Sequence, residues 1–166
     1  MIPASRQRNY LQSGLYVIVA GILAALLLER LLTYAEAIEK AKMEVTLSRL
    51  HTGLYAQLAF LALRGEKDAY AVVVSGSPFQ ALKWRPSEYL GEFDGVPPGD
   101  HGGKWFFDEA KHELVYTPSL SRHLVAESSG SDATRLRYRL EIQRSKQEAF
   151  VGVSLRSVNA FRWDPL

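Results

Sequence analysis

The longest apolar run in the chain extends from Asn9 to Leu28, NYLQSGLYVIVAGILAALLL, and contains no charged side chain. A helix rises 1.5 Å per residue, so a run of about 20 residues matches a hydrocarbon core roughly 30 Å thick. A helix also satisfies its own backbone hydrogen bonds, as lipid requires. The pattern therefore predicts a transmembrane segment at residues 9–28, preceded by a short polar leader at residues 1–8.

The helical pattern continues past Leu28. Residues 29–64 contain no proline, and their first glycine is Gly53. Leu31, Ala35, Ile38 and Val45 fall roughly on one helix face, and leucines follow at spacings of three and four: Leu47, Leu50, Leu54, Leu58 and Leu61. We expect residues 29–64 to be an amphipathic continuation of one helix that ends at Gly65 and buries its leucine face against the following domain.

Residues 65–166 show the short patterns of an α+β domain. Lys104–Phe107 and Leu114–Thr117 flank the polar run Asp108–Glu113 and predict a hairpin, and apolar residues on one face predict two further strands at Arg135–Ile142 and Phe150–Val158. Together they predict a four-stranded antiparallel sheet with one face on the long helix and one in water. We expect Trp105, Tyr116 and Tyr138 to pack in that domain.

The stretches between the predicted strands are less regular. Ser77-Pro78 is typical of a helix start, which predicts a short helix at Phe79–Trp84 that ends before Pro86. Ala69–Val74 fits either a strand or a helix. Two loops are predicted, at Tyr89–His101 and at Ser119–Thr134.

Charge gives little information about partners. The formal net charge is +2, which gives no support for nucleic-acid binding, and the chain has no cysteine. Positive residues are nearly balanced across the apolar run, with Arg6 and Arg8 before it and Arg30, Lys40 and Lys42 after it. We expect the amino terminus in the cytoplasm and the domain outside.

Two features of the amino-terminal region bear on processing and association. Ala35-Glu36-Ala37 has the small-x-small form of a signal-peptide cleavage site, so removal of the segment is an open alternative. Small residues on the membrane helix provide a weak face for helix association: Gly14, Gly21, Ala24 and Ala25. Beyond them, Glu36 and Lys40 have the favourable order of a surface ion pair one helical turn apart.

Candidate chemistry is sparse. There is no G-x-S-x-G and no glycine loop suited to phosphate, so the sequence predicts no enzyme activity and no cofactor. The four histidines are too scattered to predict a metal site. The predicted strand at residues 135–142 and the residues after it carry a row of arginines: Arg135, Arg137, Arg139 and Arg144. This arginine row is either a phosphate-binding stripe or the solvent face of a strand, and we favour the solvent face.

Three segments carry a resemblance to a known family. Gly21–Glu44, GILAALLLERLLTYAEAIEKAKME, resembles the long helix of type IV pilins and type II secretion pseudopilins. Ser77–Phe93, SPFQALKWRPSEYLGEF, and Gly103–Tyr116, GKWFFDEAKHELVY, resemble uncleaved pilus-assembly and secretion proteins of bacterial inner membranes, including those of the MSHA-type pilus. The resemblance implies a pilin-like fold, a single pass through the inner membrane and a periplasmic domain.

The chain departs from the family at one position. Pilins and most pseudopilins are processed after a glycine and carry glutamate at the fifth mature position. Aligning Gly14 with that glycine places Val19 there. An acidic side chain is costly in lipid unless it meets a partner, so a glutamate can set subunit register and a valine cannot. The departure implies an uncleaved accessory component rather than a major filament subunit.

The sequence thus favours a non-enzymatic scaffold or minor pseudopilin-like subunit of a pilus or secretion assembly. Its expected partners are membrane lipid and other subunits, which would contact the N-terminal helix and a sheet edge. The alternative is a membrane-tethered periplasmic sensory or ligand-binding domain whose two predicted loops surround a pocket. A membrane-tethered hydrolase ranks third.

Overall fold

A computed structural model of the chain describes residues 4–65, 73, 75–126, 134–144 and 150–165. It is an α+β fold with one long amino-terminal helix, α1 (Ala4–Arg64), and a short helix, α2 (Pro78–Ala81). The strands follow in chain order: β1 (Tyr89–Phe93), β2 (Lys104–Asp108), β3 (Glu113–Thr117), β4 (Leu124–Ala126), β5 (Leu136–Arg144), β6 (Phe150–Ser157) and β7 (Phe161–Trp163).

Helix α1 is continuous through Leu28, as the sequence predicts, and it reaches 61 residues. It ends where expected, because Gly65 adopts φ 71° and its N–H bonds the carbonyl of Ala62 at 3.1 Å. Left-handed backbone is cheap for glycine, which explains the stop. Gly53 does not interrupt the helix. A Cβ there would lie 2.8 Å from Leu82, so this glycine allows α2 to approach α1 closely.

The main sheet has five strands in the order β1-β2-β3-β5-β6. The four predicted strands are present and pair antiparallel, but β1 pairs parallel to β2, so the predicted four-stranded antiparallel sheet is wrong. Strand β1 lies in a stretch predicted as a loop. Its register shifts between Tyr89 and Glu92, and Gly91 has φ 126°, which disrupts the alternation that identifies strands.

Strands β4 and β7 form a separate two-stranded sheet. Strand β4 lies in the second predicted loop, of which residues 127–133 are outside the described residues, and β7 follows the last predicted strand. Three residues are too few for a sequence period to be visible.

Helix α2 is shorter than the predicted helix Phe79–Trp84, since it ends at Ala81 and Lys83 has φ 51°. Ser77 makes no side-chain cap bond. Its hydroxyl lies 2.8 Å from the hydroxyl of Tyr89 instead. The ambiguous segment Ala69–Val74 is outside the described residues except for Val73.

The core lies between α1 and the sheet, in two clusters. In the first, Met43 and Leu50 of α1 meet aromatic residues from α2 and the strands: Phe79, Tyr89, Trp105, Phe107, Tyr116, Tyr138 and Trp163. In the second, Leu54 and Leu58 meet Val73, Leu140 and Val153. The other sheet face is not simply in water as expected, since Phe106 and Val115 are buried there.

Candidate functional site

The most developed polar arrangement lies where α1 leaves the predicted membrane segment and meets the domain. Glu36 is a carboxylate with no exposed surface. It accepts hydrogen bonds from the backbone N–H of His123 at 3.0 Å, from His123 Nδ1 at 2.8 Å and from Trp163 Nε1 at 2.8 Å. The carboxylate thus joins α1 to the chain before β4 and to β7.

The ionisation of Glu36 follows from these donors. Burial alone would raise its pKa, but the hydrogen bonds from His123 and Trp163 outweigh burial, and the pKa lies below the usual 4.5. An ionised carboxylate accepts and cannot donate, so the proton of the 2.8 Å bond belongs to His123 Nδ1. The other ring nitrogen, Nε2, is therefore left for a different partner.

Glu39 makes a second connection one turn further along α1. It accepts from the Tyr116 hydroxyl at 2.9 Å and from the backbone N–H groups of Ser119 and Leu120 at 2.6 and 3.1 Å. Burial, together with the charge of Glu39, raises the pKa of Tyr116, so the phenol keeps the proton that it donates. We call Glu36, Glu39 and the groups that bond them the carboxylate clamp.

The clamp corrects one expectation. Glu36 does not form the predicted surface pair with Lys40. Lys40 Nζ instead lies 3.5 Å from Asp164 and 3.9 Å from Glu44. Eight residues separate Leu28 from Glu36, about 12 Å along the helix axis. The domain is therefore fastened to α1 close to the end of the predicted membrane segment.

A second apolar face of α1 is uncovered. Leu31, Ile38 and Val45 are 55%, 58% and 51% exposed, and Tyr34 between them is 56% exposed. Leu31, Ile38 and Val45 share a helix face, as the sequence predicted, and the buried leucines lie on another face of α1. At 100° per residue these positions point away from Leu50 and Leu54. We call Leu31, Tyr34, Ile38 and Val45 the outer stripe.

The structure places the predicted packing residues in two environments. Leu50, Leu54 and Leu58 are fully buried, Trp105, Tyr116 and Tyr138 are nearly so, and Leu47 and Leu61 pack partly against the same clusters. The small residues of the predicted membrane segment are exposed: Gly14, Gly21, Ala24 and Ala25. A Cβ added at Gly14 or Gly21 would meet nothing within 4 Å, so no part of the described chain covers this face.

The other candidate groups are dispersed. Three histidines bond separate partners: His51 to the carbonyl of Val153, His112 to that of Ser75, and His123 to Glu36. No group of three metal-ligating side chains occurs among the described residues. In the arginine row, Arg139 bonds the buried Glu113 at 2.8 Å and Arg137 lies 3.9 Å from it, so part of the row serves the sheet.

Concave surfaces flank the domain, and two of them involve the predicted loops or their neighbours. One, of about 680 Å³, runs along α1 between Ile38 and Arg49 and reaches Glu88, Trp105 and Ser119. The other, of about 460 Å³, lies between α2 and β1. Residues of the first predicted loop line the α2–β1 cavity, and Ser119 of the second predicted loop lines the α1 groove. The described parts of the two loops therefore share neither of these two cavities.

Sequence reasoning missed the clamp. Glu36, Met43 and Leu50 recur at intervals of seven, and this spacing places Glu36 on the buried face of α1. A carboxylate at a position with the spacing of core residues is therefore the sequence feature that could have identified Glu36. Nothing in the local sequence identifies His123 or Trp163 as its partners, because 87 and 127 residues separate them from it.

Comparison with protein-family models, with curated proteins and with solved structures gives no match to this chain. The fold and the clamp thus define an α+β protein with a long apolar amino-terminal helix. Within the described residues, one helix, Ser13–Arg64, is long and apolar enough to cross a membrane, and a signal sequence fits the same test.

Proposed function

We propose that this protein is a non-enzymatic, single-pass component of the bacterial inner membrane with a periplasmic domain, uncleaved at its amino terminus. It would serve as a scaffold or a minor pilin-like subunit in a type IV pilus or type II secretion assembly. The observation that carries the proposal is the outer stripe, an apolar helix face above the membrane that this chain leaves uncovered.

The stripe has the spacing of a helix–helix seam. Leu31, Ile38 and Val45 are seven residues apart, and Tyr34 and Ala41 occupy the intermediate position of the same heptads. The side chains of such a seam can pack against a second helix along about four turns, since a turn takes 3.6 residues. The proposed partner is therefore another helix that runs beside α1.

The clamp explains why the stripe stays available. Glu36 and Glu39 fix the domain to the opposite side of α1, so the domain cannot rotate over Ile38 without breaking six hydrogen bonds. The stripe also continues the membrane segment directly. A partner that pairs with it would itself be anchored in the membrane.

The sheet offers a second contact. Strands β1 and β6 are at its two edges, and an edge strand can pair with an added strand. An assembly component with a lateral helix seam and a free edge can hold two neighbours at once, which suits a scaffold.

A photo-crosslinking amino acid at Ile38 tests the proposal in intact membranes. We expect an adduct with another membrane-anchored subunit of the assembly, and the matched control at Glu44, exposed on the same helix but off the stripe, should give none. Recovery of monomer alone from both positions would rule out the scaffold role.

Ile38→Glu provides a second measurement. It should abolish the adduct formed through a photo-crosslinker at Val45 while the domain stays folded, since a charge on an exposed position costs little stability. Intact mass of the purified protein should show an unprocessed chain. Loss of the residues before Leu15 or of the segment ending at Ala37 would contradict the uncleaved anchor.

The ligand-binding alternative has one favouring observation, the α2–β1 cavity. Trp84 and Tyr89 line it together with the cationic Lys83 and Arg85. A thermal-shift screen of small anionic aromatic compounds tests this alternative. A hit that Trp84→Ala abolishes, combined with no adduct at Ile38, would favour ligand binding over assembly.

A further inference from the structure

We propose that a notch between α1 and the domain, at the outer end of the membrane segment, binds the headgroup of a phospholipid that carries a primary ammonium group. The inference rests on the membrane anchoring in the proposed function but requires no protein partner. The notch has a volume of about 570 Å³ and is lined by Leu26, Glu29, Arg30, Thr33, His123 and Pro165.

The position of the notch matches that of a headgroup. Leu26 belongs to the apolar run, whereas Arg30 and Thr33 belong to the first two turns beyond it. His123 and Pro165 belong to the domain, which reaches this depth because the clamp holds it there. The notch thus joins an apolar wall at membrane depth to polar walls at the level of the lipid phosphates.

The charges of the notch are one carboxylate and one guanidinium. Glu29 and Arg30 are both exposed, and neither side chain forms an ion pair within the part of the chain that the structure describes. A guanidinium is suited to a phosphate diester, and a carboxylate is suited to an ammonium group. A zwitterionic headgroup therefore satisfies both, whereas a purely anionic headgroup would meet repulsion from Glu29.

His123 contributes one wall of the notch. Its Nδ1 donates to Glu36, which fixes the orientation of the ring, and the imidazole is 42% exposed at the notch. An ammonium group with N–H donors can form a charge-assisted hydrogen bond to the Glu29 carboxylate. A choline headgroup has no N–H donor and cannot form that hydrogen bond.

Native mass spectrometry of the full-length protein tests the proposal after reconstitution in nanodiscs with equal amounts of phosphatidylethanolamine and phosphatidylcholine. We expect retained phosphatidylethanolamine to exceed phosphatidylcholine by about tenfold, the value of one charge-assisted hydrogen bond. Glu29→Gln should lower that ratio from about ten to a value between about one and three, because the ammonium loses its charged acceptor. Arg30→Gln should reduce retention of both lipids.

Glu44→Gln and Arg49→Gln are matched controls, since they remove the same charges from α1 outside the notch. They should leave the ratio unchanged. Equal retention of the two lipids by the native protein, or the same ratio in Glu29→Gln as in Glu44→Gln, would overturn the proposal.

A soluble competitor separates a lipid from a free compound of the same chemistry. Millimolar glycerophosphoethanolamine should leave the retained phosphatidylethanolamine in place, because the soluble compound lacks the acyl chains that contact the Leu26 wall. Displacement would assign the notch to a soluble ligand and overturn the lipid assignment. A missing adduct at Ile38 with an intact lipid preference would instead reject the assembly role alone.

Discussion

The two apolar faces of α1 beyond the predicted membrane segment have similar side chains, but the domain covers only one of them. Met43, Leu50 and Leu54 are at most 4% exposed, whereas Ile38 and Val45 are more than half exposed. Hydrophobicity therefore does not decide which face the domain covers. The difference lies in the carboxylates, because Glu36 and Glu39 lie on the covered side of α1 and bond groups from β3, β7 and the segment before β4.

The comparison teaches that buried polar groups can specify orientation where apolar packing is ambiguous. A helix with two apolar faces offers apolar contact to a sheet on either side. A misplaced domain would leave two carboxylates without their donors, which costs far more than a shifted leucine. The clamp thus selects one arrangement and leaves the outer stripe exposed.

The largest expected difference between the faces is in packing. Leu54→Ala should destabilise the full-length protein in detergent by about 2 to 5 kcal/mol, because Leu54 is fully buried among Leu58, Leu140 and Val153. Urea unfolding followed by tryptophan fluorescence measures the change.

Ile38→Ala is the matched substitution on the outer stripe. Its effect on the monomer should stay within about 0.5 kcal/mol, since its side chain is exposed. Similar losses for the two variants would mean that the outer stripe packs against this chain, contrary to the structure.

The next effect concerns the clamp. Glu36→Gln should cost about 1 to 3 kcal/mol, because the carboxamide offers one acceptor oxygen to three donors and directs its own N–H groups at them. The same unfolding measurement applies. Glu44→Gln removes an exposed charge from the same helix and should change stability by less than about 0.5 kcal/mol.

The pH dependence of stability reports part of the same effect. The folded-state pKa of Glu36 lies below its ordinary value of 4.5, so its stabilising contribution is fully present above that pH. It is lost as the pH falls through the folded-state pKa. Unfolding free energies measured from about pH 7 to pH 3 should therefore fall more steeply below 4.5 for the native protein than for Glu36→Gln. Parallel curves would contradict an ionised Glu36.

The sequence predicted the parts of the fold whose patterns are long. Helix α1 was expected to continue past Gly53 and to end at Gly65. The β2–β3 pair was expected from two apolar runs around a polar turn, and the β5–β6 pair from alternation over eight residues or more. Strand β1 was missed because a register shift and Gly91 interrupt its period, and β4 and β7 because they have three residues each.

The candidate site was harder to predict because its contacts are distant in sequence. Seven-residue spacing places Glu36 on the buried face, but the same helix carries Ile38 and Val45 at an equally regular spacing on the other face. The seven-residue spacings alone therefore do not decide which of the two faces the domain covers. That choice depends on Trp163 and His123, whose positions follow from the pairing of β4 with β7.

The smallest expected effect compares two tyrosines of the two regions. Tyr116→Phe should cost about 0.5 to 1.5 kcal/mol, since its hydroxyl donates to Glu39 at 2.9 Å and its removal leaves an acceptor less well satisfied. Tyr34→Phe on the outer stripe removes a hydroxyl from an exposed ring and should change monomer stability by less than about 0.5 kcal/mol. In intact membranes Tyr34→Phe should also leave the Ile38 adduct unchanged, because the ring still fills its seam position. If Tyr34→Phe were as costly as Tyr116→Phe in the isolated monomer, the outer stripe would have a polar attachment within this chain, and the contrast between the two faces would be lost.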